Sequence, residues 1–262
     1  LDAIIKRNFS IAVLVLCLAQ CAAPACFEPQ DLHEQATEAL LDREFSGPDL
    51  AYLLLNENGR VVAQRWEHPD LDAPIGSLVK PFLAAAYGQT HAAFPRFRCI
   101  GKKTCWLVRG HGTLQIRDAI AYSCNSYFHQ LVANAGPGFA QALNTYALHG
   151  PGFQGNDLAQ ATAAPLALSR AYLELTHHPR DAAVLPVLQG MALSAQKGTG
   201  KAAGTALPHV AILAKTGTAP CIHAKKAAGD GFAMVMSPAD HPREILLVRL
   251  HGRPHDCRSR GN

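Results

Sequence analysis

The chain has 262 residues, 48% of them hydrophobic and 17% charged, with 24 basic against 20 acidic side chains and a formal net charge of +4. That length holds one domain with a real core, or two small ones, and the composition excludes a disordered chain, a collagen-like repeat and a dense disulfide scaffold. No Lys/Arg run exceeds two residues, so nothing points to nucleic acid as a partner.

The N-terminus has the order of an export leader. Lys6 and Arg7 precede an apolar run from Phe9 to Ala19, and small residues follow around Ala23-Pro24-Ala25. The expected division is a leader over 1–25 and one domain over 26–262, exported to the periplasm or cell envelope, and anchored to the membrane where the leader stays uncleaved.

Asp31 to Phe45 reads as a helix with Leu32, Ala36, Leu40 and Leu41 on one face, stopped at Ser46-Gly47-Pro48. Ala51–Leu55 and Arg60–Trp66 read as two strands around an Asn56-Glu57-Asn58-Gly59 turn. An apolar helix is expected over Leu78–Tyr87, then an irregular basic stretch from His91 to Gly112. Helices are expected over Leu114–Tyr122 and Tyr127–Asn134, with Ser123 to Ser126 at the break. Further helices are expected over Phe139–Leu148, Pro165–Leu175 and Ala182–Ala195. Strands are expected over Val210–Lys215, Gly231–Met236 and Glu244–Leu250. Strands at both ends with helices between them predict an α+β fold: an antiparallel sheet built from the two chain ends, with a helical lobe inserted. The polar stretch 251–262 predicts no long terminal helix on that sheet.

Three short motifs stand in order: Ser77-Leu78-Val79-Lys80, Ser123-Cys124-Asn125 and Lys215-Thr216-Gly217-Thr218. Composition alone expects S-x-x-K roughly 0.3 times, but K-T-G-T only about 0.001 times. Context separates Ser77 from the second S-x-x-K at Ser194. Ser77 follows Pro74-Ile75-Gly76 and opens a helix, where residues three apart share a face and an amine can reach a hydroxyl. Ser194 reads as a solvated helix end before Lys197-Gly198. Phosphate-loop, zincin, dinucleotide-binding and G-x-S-x-G patterns are absent or broken.

With these motifs and their surroundings, the chain resembles the transpeptidase domain of class B penicillin-binding proteins, particularly the elongation type. The likeness is carried by Pro74 to Phe82, Gly110-His111-Gly112, Ala119 to Phe128, Thr162 to Leu166, Arg170-Ala171-Tyr172, Gly190-Met191, Gly198-Thr199-Gly200, Lys215 to Ala219 and Gly231-Phe232-Ala233. The resemblance implies an acyl-serine enzyme acting on D-Ala-D-Ala stem peptides of peptidoglycan, as transpeptidase or carboxypeptidase, and binding β-lactams. Ser77 would be the nucleophile and Lys80 its base. Ser123 would relay a proton, and Asn125 would hold Lys80 and the substrate amide. Lys215, Thr216 and Thr218 would bind the substrate carboxylate beside Gly217. Backbone N–H groups of Ser77 and Thr218 would form the oxyanion hole. Cell-wall elongation proteins are implied partners.

A class D-like β-lactamase and a non-catalytic β-lactam sensor or pseudoenzyme stay open as alternatives. Glu174, the one glutamate between Asn125 and Lys215, reads as a helix-face charge rather than a deacylation base. Catalysis requires no cofactor. Cys99, Cys105, His111 and Cys124 leave two readings open, a closed structural Zn²⁺ site and a Cys99–Cys105 disulfide with Cys124 buried. The place of His111 in the matched Gly-His-Gly favours zinc. Cys221 and Cys257 are a further candidate pair.

Overall fold

The computed structural model describes residues 32–146, 161–220 and 229–252. The leader over 1–25, Cys221, Cys257 and the polar stretch from 253 onward lie outside them. The chain forms two units, 1–36 and 37–262. The described part of the first, 32–36, is the opening of helix α1 (Leu32–Glu44); everything below concerns the second.

Five strands form one antiparallel sheet in the order β2-β1-β9-β8-β7: β1 Leu50–Asn56, β2 Val61–Arg65, β7 Leu213–Ala219, β8 Asp230–Ser237 and β9 Glu244–Leu250. The first two and last three strands thus meet at the β1–β9 ladder, with Leu53 opposite Leu247 and Leu55 opposite Ile245. The pairing follows from the side-chain pattern. Phe232, Met234 and Met236 on β8 and Ile245 and Leu247 on β9 alternate into the core, while the residues between them are half-buried on the other face.

Between the sheet halves lies the helical lobe: α2 Lys80–Thr90, α3 Ile116–Ala121, α4 Asn125–Ala133, α5 Phe139–Asn144, α6 Pro165–His177, α7 Leu185–Lys197 and α8 Lys201–Ala206. Helix α2 is buried almost all round, with Phe82, Leu83, Ala84, Ala85 and Ala86 out of solvent, as expected of a helix apolar on every side. Phe82 packs edge-on to Tyr172 of α6 at 4.8 Å, and the Tyr172 hydroxyl donates to the Leu78 carbonyl at 2.7 Å. This bond fixes the start of α2 to α6.

The expected α+β architecture is observed, with shifts at element ends. A single 3₁₀ turn, Gly76–Val79, precedes α2, so Ser77 sits in that turn and Lys80 begins the α-helix. The stretch read as irregular contains a hairpin of β4 (Phe97–Cys99) and β5 (Gly112–Leu114), joined by the segment 100–111. A two-residue ladder, β3 (Ala73–Pro74) with β6 (Thr162–Ala163), and the helix α8 were not expected. Leu40 is exposed rather than on a buried face; Leu41 packs toward Tyr52 and Leu54 of the sheet, and Asp42 accepts the Tyr52 hydroxyl at 2.7 Å. Ser194 is also corrected. It is fully buried, and its Oγ accepts the Gly200 N–H at 3.1 Å, which closes the α7–α8 turn.

Phe82→Ala removes a fully buried ring from the centre of this lobe. It is expected to destabilise the domain by about 3–5 kcal/mol, read as a lowered thermal or urea midpoint with an unchanged far-ultraviolet spectrum. An unchanged midpoint would refute this account of the core.

Candidate active site

The site is assembled from the turn before α2, the loop joining α3 to α4, and strand β7. Ser77, Ser123, Asn125, Thr199, Thr216, Gly217, Thr218 and Trp106 line a cleft of about 370 Å³. Two contacts bring β7 onto the turn. Gly76 has φ +50, and a Cβ there would strike the Thr218 carbonyl oxygen. A Cβ on Gly217 would lie 3.0 Å from Leu78 Cγ and 3.1 Å from the Ile75 oxygen.

The loop 122–124 holds Ser123 at φ +49, a left-handed conformation rare for a residue with a side chain. Backbone bonds from Ser123 N to Ile120 O (3.1 Å) and Cys124 N to Ala119 O (3.0 Å) tie it to α3. The result is that Ser123 Oγ points at two lysines at once. Lys80 Nζ donates to Ser123 Oγ at 3.3 Å, to the Ser123 carbonyl at 2.8 Å and to Asn125 Oδ1 at 2.5 Å. Lys215 Nζ donates to Ser123 Oγ at 2.9 Å and to the Thr216 carbonyl at 2.6 Å.

Both lysines are fully buried, and neither is paired with a carboxylate among the described residues. Burial lowers the Lys80 ammonium to about 7, a shift that negative charge on Cys124 or Cys105 opposes. Burial, and then the charge of Lys80, hold Lys215 well below the ordinary lysine range. Such a pair can act as acceptor and donor of protons near neutrality, and a remaining charge can draw an anion into the cleft.

All eight expected catalytic and substrate-binding positions therefore lie around one cleft. One expected contact is absent. Among the described residues Ser77 Oγ has no hydrogen-bond partner, since Lys80 turns toward the 123–125 loop rather than along its own helix face. Two lining residues were not foreseen. Thr199 accepts the Thr216 hydroxyl at 2.7 Å, and its N–H donates to the Ala121 carbonyl at 3.0 Å. It could have been found from Gly198-Thr199-Gly200, a turn at the end of a helix. Trp106 donates its indole N–H to the Tyr122 carbonyl at 3.1 Å; nothing in its sequence neighbourhood signals the cleft. Glu174 is exposed on α6, bonded to His177 and His178.

Behind the 122–125 loop, Cys99, Cys105, His111 and Cys124 converge, their donor atoms all within 4.8 Å of one another. His111 Nδ1 lies 3.6 Å from Cys99 Sγ and 3.5 Å from Cys105 Sγ, and the Cys105 and Cys124 sulfurs are 3.9 Å apart. A tetrahedral zinc with bonds of about 2.3 Å to sulfur and 2.0–2.1 Å to nitrogen sets edges of about 3.5–3.8 Å, which these three separations approach. Burial and the charge of Lys80 lower the His111 pKa, which keeps its imidazole a neutral donor. Burial raises the Cys99 thiol, but N–H groups of His111 and Gly101 more than offset it, leaving Cys99 below the ordinary range. The three thiols are free, with no Cys99–Cys105 bridge.

No family model and no curated protein matches the sequence. Solved structures do match the fold. Pseudomonas aeruginosa PBP2, solved with WCK 5153, has 16% identity and a TM-score of 0.68 over 85% of this chain and 72% of that chain. The transpeptidase domain of the FtsI4 D,D-transpeptidase from Legionella pneumophila has 19% identity and a TM-score of 0.60 over 85% of each chain. PBP2 in its complex with MreC from Helicobacter pylori has 13% identity and a TM-score of 0.66 over 84% of this chain and 58% of that one. The chain has the fold of class B penicillin-binding-protein transpeptidase domains.

Proposed function

We propose that this protein is an acyl-serine enzyme of the penicillin-binding type, acting on D-Ala-D-Ala stem peptides of peptidoglycan as a DD-transpeptidase or carboxypeptidase. The observation that carries the reading is the meeting of two buried, carboxylate-free lysines on Ser123 Oγ, in a cleft that Ser77 also lines. Ser77 Oγ attacks the carbonyl carbon between the two D-alanines, and its proton passes to Lys80 Nζ. Backbone N–H groups of Ser77 and Thr218 receive the oxyanion. The C–N bond then breaks, and the leaving amine takes a proton through Ser123. The ester on Ser77 is resolved by an acceptor amine or by water, which regenerates the hydroxyl. Lys215 with Thr216 and Thr218 binds the terminal carboxylate, and Asn125 holds the substrate amide. The exposed position of Glu174 supports slow deacylation, because among the described residues of that region no buried carboxylate is placed to activate a water. Export to the cell envelope and contact with elongation proteins accompany this reading.

We also assign the Cys99, Cys105, His111, Cys124 cluster to a structural Zn²⁺. Four protein donors fill a tetrahedral shell and leave no open position for catalysis, so the ion would tie the 100–111 segment to the loop carrying Ser123 and Asn125.

Intact mass spectrometry with benzylpenicillin tests the function. A single stable adduct is expected on the parent chain and none on Ser77→Ala. An adduct that vanishes with drug hydrolysis would move the assignment to a β-lactamase, and no adduct on folded parent protein would make it a pseudoenzyme.

The acylation rate is expected to rise with pH as Lys80 loses its proton. With a pKa of about 7, the rate at pH 8 should exceed that at pH 6 by about tenfold. A flat profile across that window, measured with a fluorescent penicillin, would remove Lys80 from the role of base.

Metal analysis of the purified chain is expected to give one zinc per molecule. Cys105→Ser should lose it and melt at lower temperature. Less than about a tenth of an equivalent in the parent would end the zinc assignment.

A further inference from the structure

Between Asp72 and Asp118 the sequence contains no acidic residue, yet it carries Lys80, Arg96, Arg98, Lys102, Lys103, Arg109 and Arg117. Apart from Lys80, the described side chains of this run, Arg96, Arg98, Lys102, Arg109 and Arg117, are all exposed. No ion pair joins any of these five to a carboxylate among the described residues. The same segment concentrates exposed apolar side chains: Ile100 is 56% exposed, Trp106 54% and Val108 76%. Scattered exposed hydrophobics are ordinary, but here three fall within nine residues, set among cations that have no carboxylate partner among the described residues.

The patch is held in shape. The β4–β5 hairpin forms its base, and Lys102 N–H donates to the Val108 carbonyl at 2.9 Å. A Cβ on Gly110 would lie 2.6 Å from both Gly101 N and Ile100 C. The segments 100–102 and 108–110 therefore lie side by side, and Ile100, Lys102, Val108 and Arg109 are neighbours at one tip. Cys99 and Cys105 meet His111 at the base of the tip.

We propose that the tip formed by 98–109 is a docking surface for an anionic lipid bilayer, with Ile100, Trp106 and Val108 entering the headgroup region and Arg98, Lys102 and Arg109 meeting lipid phosphates. The chemistry selects this partner over a glycan or an acidic protein segment. The aliphatic ends of Ile100 and Val108 make no hydrogen bond to a sugar or a carboxylate, but they gain by leaving water for the acyl boundary. Indole prefers the same interfacial zone, and each cation near an anionic surface adds electrostatic attraction. Trp106 also lines the cleft, so docking sets the cleft mouth at the bilayer surface.

The test uses the full chain with vesicles of phosphatidylcholine alone and of phosphatidylcholine with about one third phosphatidylglycerol. Sedimentation with the anionic vesicles is expected, weakened by salt and absent with phosphatidylcholine alone. The emission of Trp106 should shift to the blue, while Trp66, 7% exposed, supplies a constant background. The pairs Ile100→Ser with Val108→Ser, and Lys102→Glu with Arg109→Glu, should each weaken binding by about tenfold or more while melting as the parent does. Failure of the folded parent to bind anionic vesicles would overturn the proposal, as would binding indifferent to both double variants. Loss on charge reversal alone, with equal binding to polyglutamate, would assign the surface to an acidic protein instead. Binding is read without chemistry, so the result stands apart from whether Ser77 is acylated.

Discussion

Two lysine amines sit inside this protein without a carboxylate partner among the described residues, and the arrangement around them depends on that. Removing a lysine from water costs several kcal/mol, and Lys80 and Lys215 are both fully buried. The cost is met in two ways. Burial lowers both pKa values, so the pair carries fewer than two charges near neutrality. Polar oxygens supply what remains, and the shared one is Ser123 Oγ, 43 residues from Lys80 and 92 from Lys215 in sequence. Three segments far apart in the chain must arrive within a hydrogen bond of one atom. That requirement explains the left-handed backbone at Ser123, a strain of about 1–3 kcal/mol that the bonds to Ile120 and Ala119 sustain.

The thiol and imidazole cluster belongs to the same problem. Cys124 stands between Ser123 and Asn125, so whatever holds its sulfur also holds the two residues that Lys80 contacts. Thiolate there would raise the Lys80 pKa, and burial lowers it further than the thiolates raise it. Zinc would cancel much of the thiolate charge and remove most of that opposition, leaving more of Lys80 unprotonated at neutral pH. The cluster is thus linked to the lysine pair both through the backbone and through the field.

The parts legible in the sequence were those with a period or a rare motif. The alternation on β8 and β9 and the Asn56-to-Gly59 turn signal a half-buried sheet before any coordinates. Lys215-Thr216-Gly217-Thr218 marks the strand that closes the cleft. What stayed hidden depends on contacts between distant segments. Ser194 has the same local pattern as Ser77, and only the return of Gly200 onto its hydroxyl reveals a buried cap instead of a solvated end. The β3–β6 ladder is two residues long, too short for a period to be visible. Trp106 enters the cleft because the hairpin behind it is clamped at its base, which no spacing encodes.

The hydrogen bonds also distinguish the two lysines. Lys80 Nζ faces three acceptors, the Ser123 carbonyl, Ser123 Oγ and Asn125 Oδ1, matching the three donors of an ammonium. Lys215 Nζ faces two, Ser123 Oγ and the Thr216 carbonyl, and its third direction has no protein acceptor among the described residues. Burial lowers both pKa values, and the charge of Lys80 lowers that of Lys215 further. In this resting arrangement Lys80 is directed at the 123–125 loop, and Ser77 Oγ is left without a partner among the described residues. To serve as base in the proposed reaction, Lys80 must shed a proton and free one direction for a lone pair. Its longest contact, 3.3 Å to Ser123 Oγ, costs least to give up. Releasing it leaves Ser123 Oγ held by Lys215 alone, so the step that arms Lys80 toward Ser77 also frees the hydroxyl that would deliver the proton to the leaving amine.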